Sequence, residues 1–172
     1  MSTLDVPRLL TGDAITRAVG GELRRAREAR GWSRHQFIGR LPSRIGERTL
    51  LAYEHGLRQL TLLRLAELCW ALGLDPTKVF AHGLQRARIL VENLPLVVDL
   101  RALLADGRVK FRSLAPWARN LLNDHSNGIV EVEPAAVRHL AAFIGCNHGE
   151  LADHLARFIP DDLYEREEAP TS

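Results

Sequence analysis

The chain has 172 residues, 46% hydrophobic and 26% charged, the composition of an ordinary soluble globular protein with room for one domain or two small ones. No apolar run reaches the roughly 18 residues that cross a bilayer, and MSTLDVPRLL is not a secretory signal, so a cytoplasmic chain without membrane contact is expected. The formal charge of +2 hides a split: residues 1–90 carry 15 Arg or Lys against 8 Asp or Glu, whereas residues 91–172 carry 8 against 13.

Residues 1–11 show no periodic pattern. From Asp13 to Ala29, Ile15, Val19, Leu23 and Ala26 recur at helical spacing and Gly31 supplies a stop, although the Gly20-Gly21 pair moves the expected start nearer Gly21. Ser33, with Gln36 three residues on, has the form of a capping box, and Trp32 before the cap can staple onto Phe37. A helix over 33–41 is predicted, with Phe37, Ile38 and Leu41 in the core. A turn at Pro42-Ser43 leads to another helix from about Gly46 to Glu54, with Ile45, Leu50, Leu51 and Tyr53 inward or supporting. Thr61 caps TLLRLAELCWALG, whose Leu62, Leu65, Ala66, Cys69 and Leu72 mark one apolar face, and Asp75-Pro76 opens a fifth helix through Phe80.

Five helices with short connections make residues 13–81 an all-α domain. The two helices within Gly31–Gly56 have helix-turn-helix spacing, in which the second helix enters the major groove of duplex DNA. Arg34 opens helix 2, where its side chain and the helix N-terminus can meet a phosphate. Arg44 precedes helix 3, and Glu47, Arg48 and Thr49 stand on its first turns. Arg bonds guanine O6 and N7, Glu accepts from cytosine N4, and Thr packs on a thymine methyl. Arg58, just after His55-Gly56, can clamp the backbone. The DNA-binding candidates are therefore Arg34, Arg44, Glu47, Arg48, Thr49 and Arg58. Glu54 is expected to bond back to helix 1 or its own helix, since DNA repels a carboxylate. Arg24, Arg25 and Arg27 are expected to be solvated. Only Lys78 and Lys110 are lysines; the arginine excess suits phosphate and guanine recognition, though codon bias would also produce it.

Residues 82–94, HGLQRARILVENL, form a helical or extended connector. In the second half, 95–160, LVVDLRALLAD (96–106) reads as a short helix, Ser113–Asn123 as another, and Ile129–Val132 as a short strand after the Asn127-Gly128 turn. Pro134 opens a helix closed by Gly145, a last helix runs from His148 to Phe158, and the acidic tail 161–172 is expected to be disordered. The predicted class is mostly all-α with at most a short β element.

Residues LRRAREARGWSRHQF and TLLAYEHGLRQLTLLRLAELCWALGLDPTKVF resemble, in order, the Cro/C1-type (XRE) helix-turn-helix domain. Members of that family end helix 3 in a Glu and a Gly near the place of Tyr53-Glu54-His55-Gly56, and open helix 4 on a Thr-Leu pair. The resemblance covers about a third of the chain and implies a DNA-binding transcription regulator. Residues LVVDLRALL, NGIVEVEPAAVRHLAAFI and ELADHL are similar, more weakly, to the C-terminal domain of the BldD-type developmental regulators of actinobacteria. A homodimer is expected, because two recognition helices about one DNA turn apart double the contacts and require a near-palindromic operator. Repression of developmental genes is expected over activation, since no activation patch is seen. In BldD that domain binds cyclic di-GMP through an Arg-x-Asp and an Arg-x-x-Asp element. Those elements fall here on Asn123-Asp124-His125 and on Glu133 to Ala136, where both arginines are missing and Glu133 would repel a phosphate, so control by cyclic di-GMP is not expected.

No other cofactor or metal is expected. Cys69 and Cys146 lie far apart, and Cys146-x-His148, even with His125, His139 and His154 nearby in sequence, lacks metal-finger spacing. No Gly-rich phosphate loop, Gly-x-Ser-x-Gly or His-Glu-x-x-His occurs, so no enzymatic activity is expected. The alternatives are a protein-interaction module of antitoxin or adaptor type, and a sensor of a different small ligand.

Overall fold

Helix α1 (Gly12–Ala29) runs straight through Gly20 and Gly21 rather than starting at them. A Cβ on Gly20 would stand 2.1 Å from the carbonyl oxygen of Tyr53, so the glycine is what lets two backbones touch. Helices α2 (Arg34–Ile38), α3 (Glu47–Glu54), α4 (Leu62–Ala71) and α5 (Pro76–Arg86) follow, with α1 packed against both α3 and α5. The structure, a computed structural model, describes residues 12–91 and 93–168 and divides into two units at Ala87/Arg88. The aperiodic stretch 1–11 and the end of the acidic tail, 169–172, lie outside the described residues.

The first unit is built on Val19, Leu23, Ala26, Phe37, Leu50, Leu68, Cys69, Leu72 and Val79, all within 4% of full burial. On α4 the buried stripe is Leu65, Leu68, Cys69 and Leu72; Leu62, expected on that face, sits on the first helical position and is exposed. Leu51, expected inward, is exposed as well. Burial pushes the Cys69 thiol up to about 12, with the negative charge of Asp75 adding to it, which makes this cysteine a core residue and not a nucleophile. His82 to Arg86, read as connector, are the second half of α5, and His82, Gly83, Leu84 and Gln85 are buried. Their inward face reflects contact with α1: a Cβ on Gly83 would collide with Val19.

The second unit opens on a strand where a helix was expected. Leu96–Asp99 (β1) pairs antiparallel with Ile129–Val132 (β2), Leu96 opposite Val132 and Asp99 opposite Ile129. All four β1 residues are buried. The helix of this stretch, α6, is confined to Leu100–Ala105, because Asp99 caps it by accepting from the amides of Arg101 and Ala102. A 3₁₀ turn, Val109–Leu114, leads into α7 (Ala115–Asp124); α8 (Pro134–Ile144), α9 (His148–Leu155) and a 3₁₀ turn at Ala156–Phe158 complete the core. Gly145, in the left-handed region at φ 71, ends α8 as expected.

The tail expected to be disordered forms helix α10 (Leu163–Glu168). Its Leu163 and Tyr164 are buried, and Arg166 donates to Asp99 at 2.7 Å and to Asp162 at 2.7 Å. Two apolar residues anchor a segment whose average composition is that of solvated chain.

His154 of α9 lies inside this unit, stacked on Phe111 with centroids 3.8 Å apart and edge-on to Phe158 at 5.1 Å. Burial lowers its pKa below the 6.5 of a free imidazole; Arg108 and Arg157 push the same way, against Asp106 and Asp153. The unfolded chain therefore takes this proton first, so His154 contributes stability that is present above pH 6.5 and lost as pH falls below it. Thermal melting of the wild-type chain should weaken on acidification through that range, and His154→Leu should flatten the dependence. An unchanged slope in the variant would show that other groups govern it.

Among the described residues the protein is mostly helical, with one small two-stranded sheet. No described helix is long and apolar enough to cross a membrane.

Candidate nucleic-acid interface

The capping box predicted at Ser33 is formed: the Gln36 amide donates to Ser33 Oγ at 3.1 Å and the Ser33 amide donates to Gln36 Oε1 at 2.8 Å. Trp32 stacks on Phe37 with centroids 6.2 Å apart, and Arg40 lies over the Trp32 ring at 4.2 Å. Helix α2 is shorter than expected, stopping at Ile38. The chain then tightens: Arg40 and Leu41 donate to the carbonyls three residues back, and Gly39 followed by Pro42 cannot sustain a longer helix. The connection to α3 thus spans residues 39–46, longer than the roughly 3–4-residue turn of the compact motif. It is held from below, because Arg64 and Glu67 of α4 both bond the hydroxyl of Ser43.

Helix α3 buries Leu50, Tyr53 and Glu54 and turns its other side outward. At 3.6 residues per turn the outward face centres on Arg48 and continues through Leu51, Ala52 and His55. Arg44, Glu47 and Arg48 are exposed, and Thr49 is half-buried at the flank. Leu51 and His55 were missed as outward-facing residues; stepping three, four and seven positions on from Arg48 would have found them. Among the described residues no carboxylate pairs with Arg44, Arg48 or Arg58. Glu47 is engaged, its Oε1 lying 3.0 Å from His35 Nδ1 in an exposed contact between α3 and α2. Arg58 lies over the Tyr53 ring at 5.7 Å, which brings it beside the C-terminal end of α3.

Arg34 has a different principal partner from the one predicted. Its Nε donates to Glu54 Oε2 at 2.8 Å, leaving the side chain 31% exposed and the outer guanidinium nitrogens free of that bond. Glu54 itself is fully buried and also receives Arg27 Nε on Oε1 at 2.5 Å. Arg27, expected to be solvated, is 5% exposed and also donates to the Trp32 carbonyl at 2.6 Å. Burial alone would lower the pKa of Arg27; the hydrogen bond and charge of Glu54, with Glu28, outweigh it and raise the value. The sequence signal was its position: Leu23, Ala26 and Arg27 fall on one helical stripe, the buried one. Glu54 thereby joins the end of α3 to α1 and to the first residue of α2, the structural role expected of it. Arg25 likewise pairs with the buried Glu22 at 3.1 Å.

No family model matches the chain, and no match to it was found among curated proteins or solved structures. A short helix is fixed at its rear by a buried ion pair and shows an arginine-centred face in front. Around it Arg44, Arg48 and Arg58 offer guanidinium groups with no carboxylate partner among the described residues. Such a face suits phosphates and base edges, which supply anionic and accepting oxygens.

The places where cyclic di-GMP elements would fall are likewise visible. Asn123 and Asp124 end α7, His125 follows as its C-cap, and Glu133 is the exposed N-cap of α8. Among the described residues no group of three or more His, Cys, Asp or Glu side chains is placed to hold a metal ion.

Proposed function

We propose that the chain is a sequence-specific DNA-binding transcription regulator of the Cro/C1-type helix-turn-helix class. The observation that carries the reading is α3: its Leu50, Tyr53 and Glu54 are locked inward while Arg48 projects outward, and Arg44 and Arg58 have no carboxylate partner among the described residues. Arg48 and Thr49 read base edges; Arg44, Arg58 and the outer nitrogens of Arg34 hold phosphates; Glu47 exchanges His35 for a cytosine amine. The protein acts as a homodimer in the reduced cytoplasm, because one short recognition helix covers too few base pairs for specificity, and two of them about one DNA turn (roughly 34 Å) apart require a near-palindromic operator. Repression of developmental genes by occluding a promoter fits the BldD-type resemblance of the second unit. Control by cyclic di-GMP is not part of the reading, since Glu133 stands where a phosphate-holding arginine is needed.

A titration of operator affinity against salt tests the proposal. Affinity should fall steeply with salt, and Arg58→Ala should weaken binding to all sequences alike while reducing the salt slope by about one. Arg48→Ala should instead cost about 1–3 kcal/mol on the preferred site and little on random DNA. Repeating the titration with cyclic di-GMP present should leave every value unchanged. A salt-independent affinity, or an Arg48→Ala protein with unaltered preference, would remove α3 from the interface.

A second reading, a protein-interaction module, has one observation in its favour. Leu57, Leu62, Leu63 and Trp70 of the first unit are each at least 66% exposed. A stoichiometric protein partner combined with only sequence-independent DNA affinity would favour that reading over the first.

A further inference from the structure

The second unit contains a pocket of about 540 Å³, within the size range of small-molecule sites. It lies between the C-terminal end of α6, the following loop, the 3₁₀ turn and the start of α7, with His154 of α9 in its wall. The imidazole of His154 is 2% exposed, and neither of its ring nitrogens has a hydrogen-bond partner among the described residues. Asp106 Oδ2 stands 3.7 Å from Nε2, beyond hydrogen-bonding reach. A buried polar group left without partners is a net cost, and a ring needed only to stack on Phe111 would be cheaper as an apolar one.

The charge around this pocket runs against that of its surroundings. Residues 91–172 hold only 8 Arg or Lys against 13 Asp or Glu. Yet three of those eight, Arg108, Arg112 and Arg119, line this one pocket, against a single carboxylate, Asp106. Arg108 lies 3.7 Å from Asp106 and largely offsets it. Arg112 and Arg119 are exposed and have no carboxylate partner among the described residues. The rest of the lining, Leu103 and Phe111 among it, is apolar.

We propose that this pocket binds a small organic anion, a carboxylate or phosphate carried on an apolar body. The apolar body lies against Leu103 and Phe111; the His154 N–H donates to the anion; Arg112 and Arg119 supply the opposing charge. A neutral imidazole keeps one N–H donor, which a carboxylate or phosphate oxygen satisfies, and one acceptor nitrogen, which only a protonated phosphate oxygen can satisfy. The site is separate from Asn123–His125 and from Glu133–Ala136, neither of which lines the pocket. It assigns the second unit a ligand class that the DNA-binding reading leaves open, and it holds whether or not α3 reads DNA.

The test follows the ring nitrogens of His154 by long-range nitrogen–proton NMR on the full chain at neutral pH. Benzoate and phenyl phosphate are the probes and benzyl alcohol is the uncharged control. At least one of the two anions should shift the His154 resonances saturably, binding about tenfold or more tighter than benzyl alcohol. The tighter of the two identifies the head group, carboxylate or phosphate. Arg112→Gln combined with Arg119→Gln should weaken that binding about tenfold or more and leave the melting temperature unchanged, because both side chains are exposed. The proposal is overturned if neither anion shifts the resonances saturably, if benzyl alcohol binds as well, or if the double variant binds as before.

Discussion

Glu54→Ala should destabilise the first unit by about 3–5 kcal/mol, the cost of stranding a buried charge after its partner is removed. Glu54 has no exposed side-chain surface, and it accepts from Arg27 at 2.5 and 3.2 Å and from Arg34 at 2.8 Å. Alanine would leave Arg27, itself almost wholly buried, with the Trp32 carbonyl and the exposed Glu28 as its remaining partners. Glu54→Gln should recover little, since its amide would turn a donor toward two guanidinium groups. Glu28→Ala, which removes an exposed carboxylate from the same arginine, should stay within about 0.5 kcal/mol. Chemical denaturation followed by far-UV circular dichroism checks the series. Equal losses for Glu54→Ala and Glu28→Ala would show that the pair is not the fastening between α1, α2 and α3. Because the Glu54 bonds fasten the end of α3 to α1 and α2, the same variant should lose DNA affinity with Arg48 intact.

The two glycines of α1 should respond to alanine with opposite signs. Gly20→Ala places a methyl group 2.1 Å from the Tyr53 carbonyl oxygen, a backbone atom that cannot turn away. The helices must separate, and the loss should be about 3 kcal/mol or more, the upper end of overpacking. Gly21→Ala meets only the end of the flexible Arg25 side chain, at 3.1 Å. It should gain about 0.5–1 kcal/mol, the difference between glycine and alanine inside a helix. Thermal melting of both variants decides the matter. A Gly20→Ala protein as stable as wild type would mean that α1 and α3 do not approach as closely as described.

These two residues also show which parts of the fold were legible in the sequence. Local signals were readable wherever a side chain acts on its own neighbourhood. The Ser33–Gln36 capping box, the Trp32–Phe37 contact, the Thr61 and Asp75 caps and the Gly145 stop all lie within a few residues of the feature they create. What depended on distant partners was not readable. Gly20-Gly21 counts against a helix until Tyr53 is known to press on it. LVVDLRALL has no period that separates strand from helix, and its first four residues become β1 because Ile129–Val132 comes alongside. The acidic tail folds back because Leu163 and Tyr164 find a place in the second unit, which no average over its composition reveals. In the candidate interface Arg44, Glu47 and Arg48 are exposed and Glu54 is structural, both as expected, whereas the outward Leu51 and His55 and the partners of Glu54 were not foreseen. Arg34 was read as a phosphate contact and Arg27 as solvated, although both bond Glu54.

The proposed reading of DNA by the outward face of α3 can be checked by selection. Selecting binders from a random pool of duplex DNA with the wild-type chain, and again with Arg48→Ala plus Thr49→Ala, tests it most directly. The wild type should enrich a near-palindromic site with half-sites about one turn, roughly 10 base pairs, apart. The double variant should then enrich no consensus while keeping salt-sensitive binding to any duplex. Enrichment of the same site by both proteins, or of none by the wild type, would show that the outward face of α3 does not read DNA.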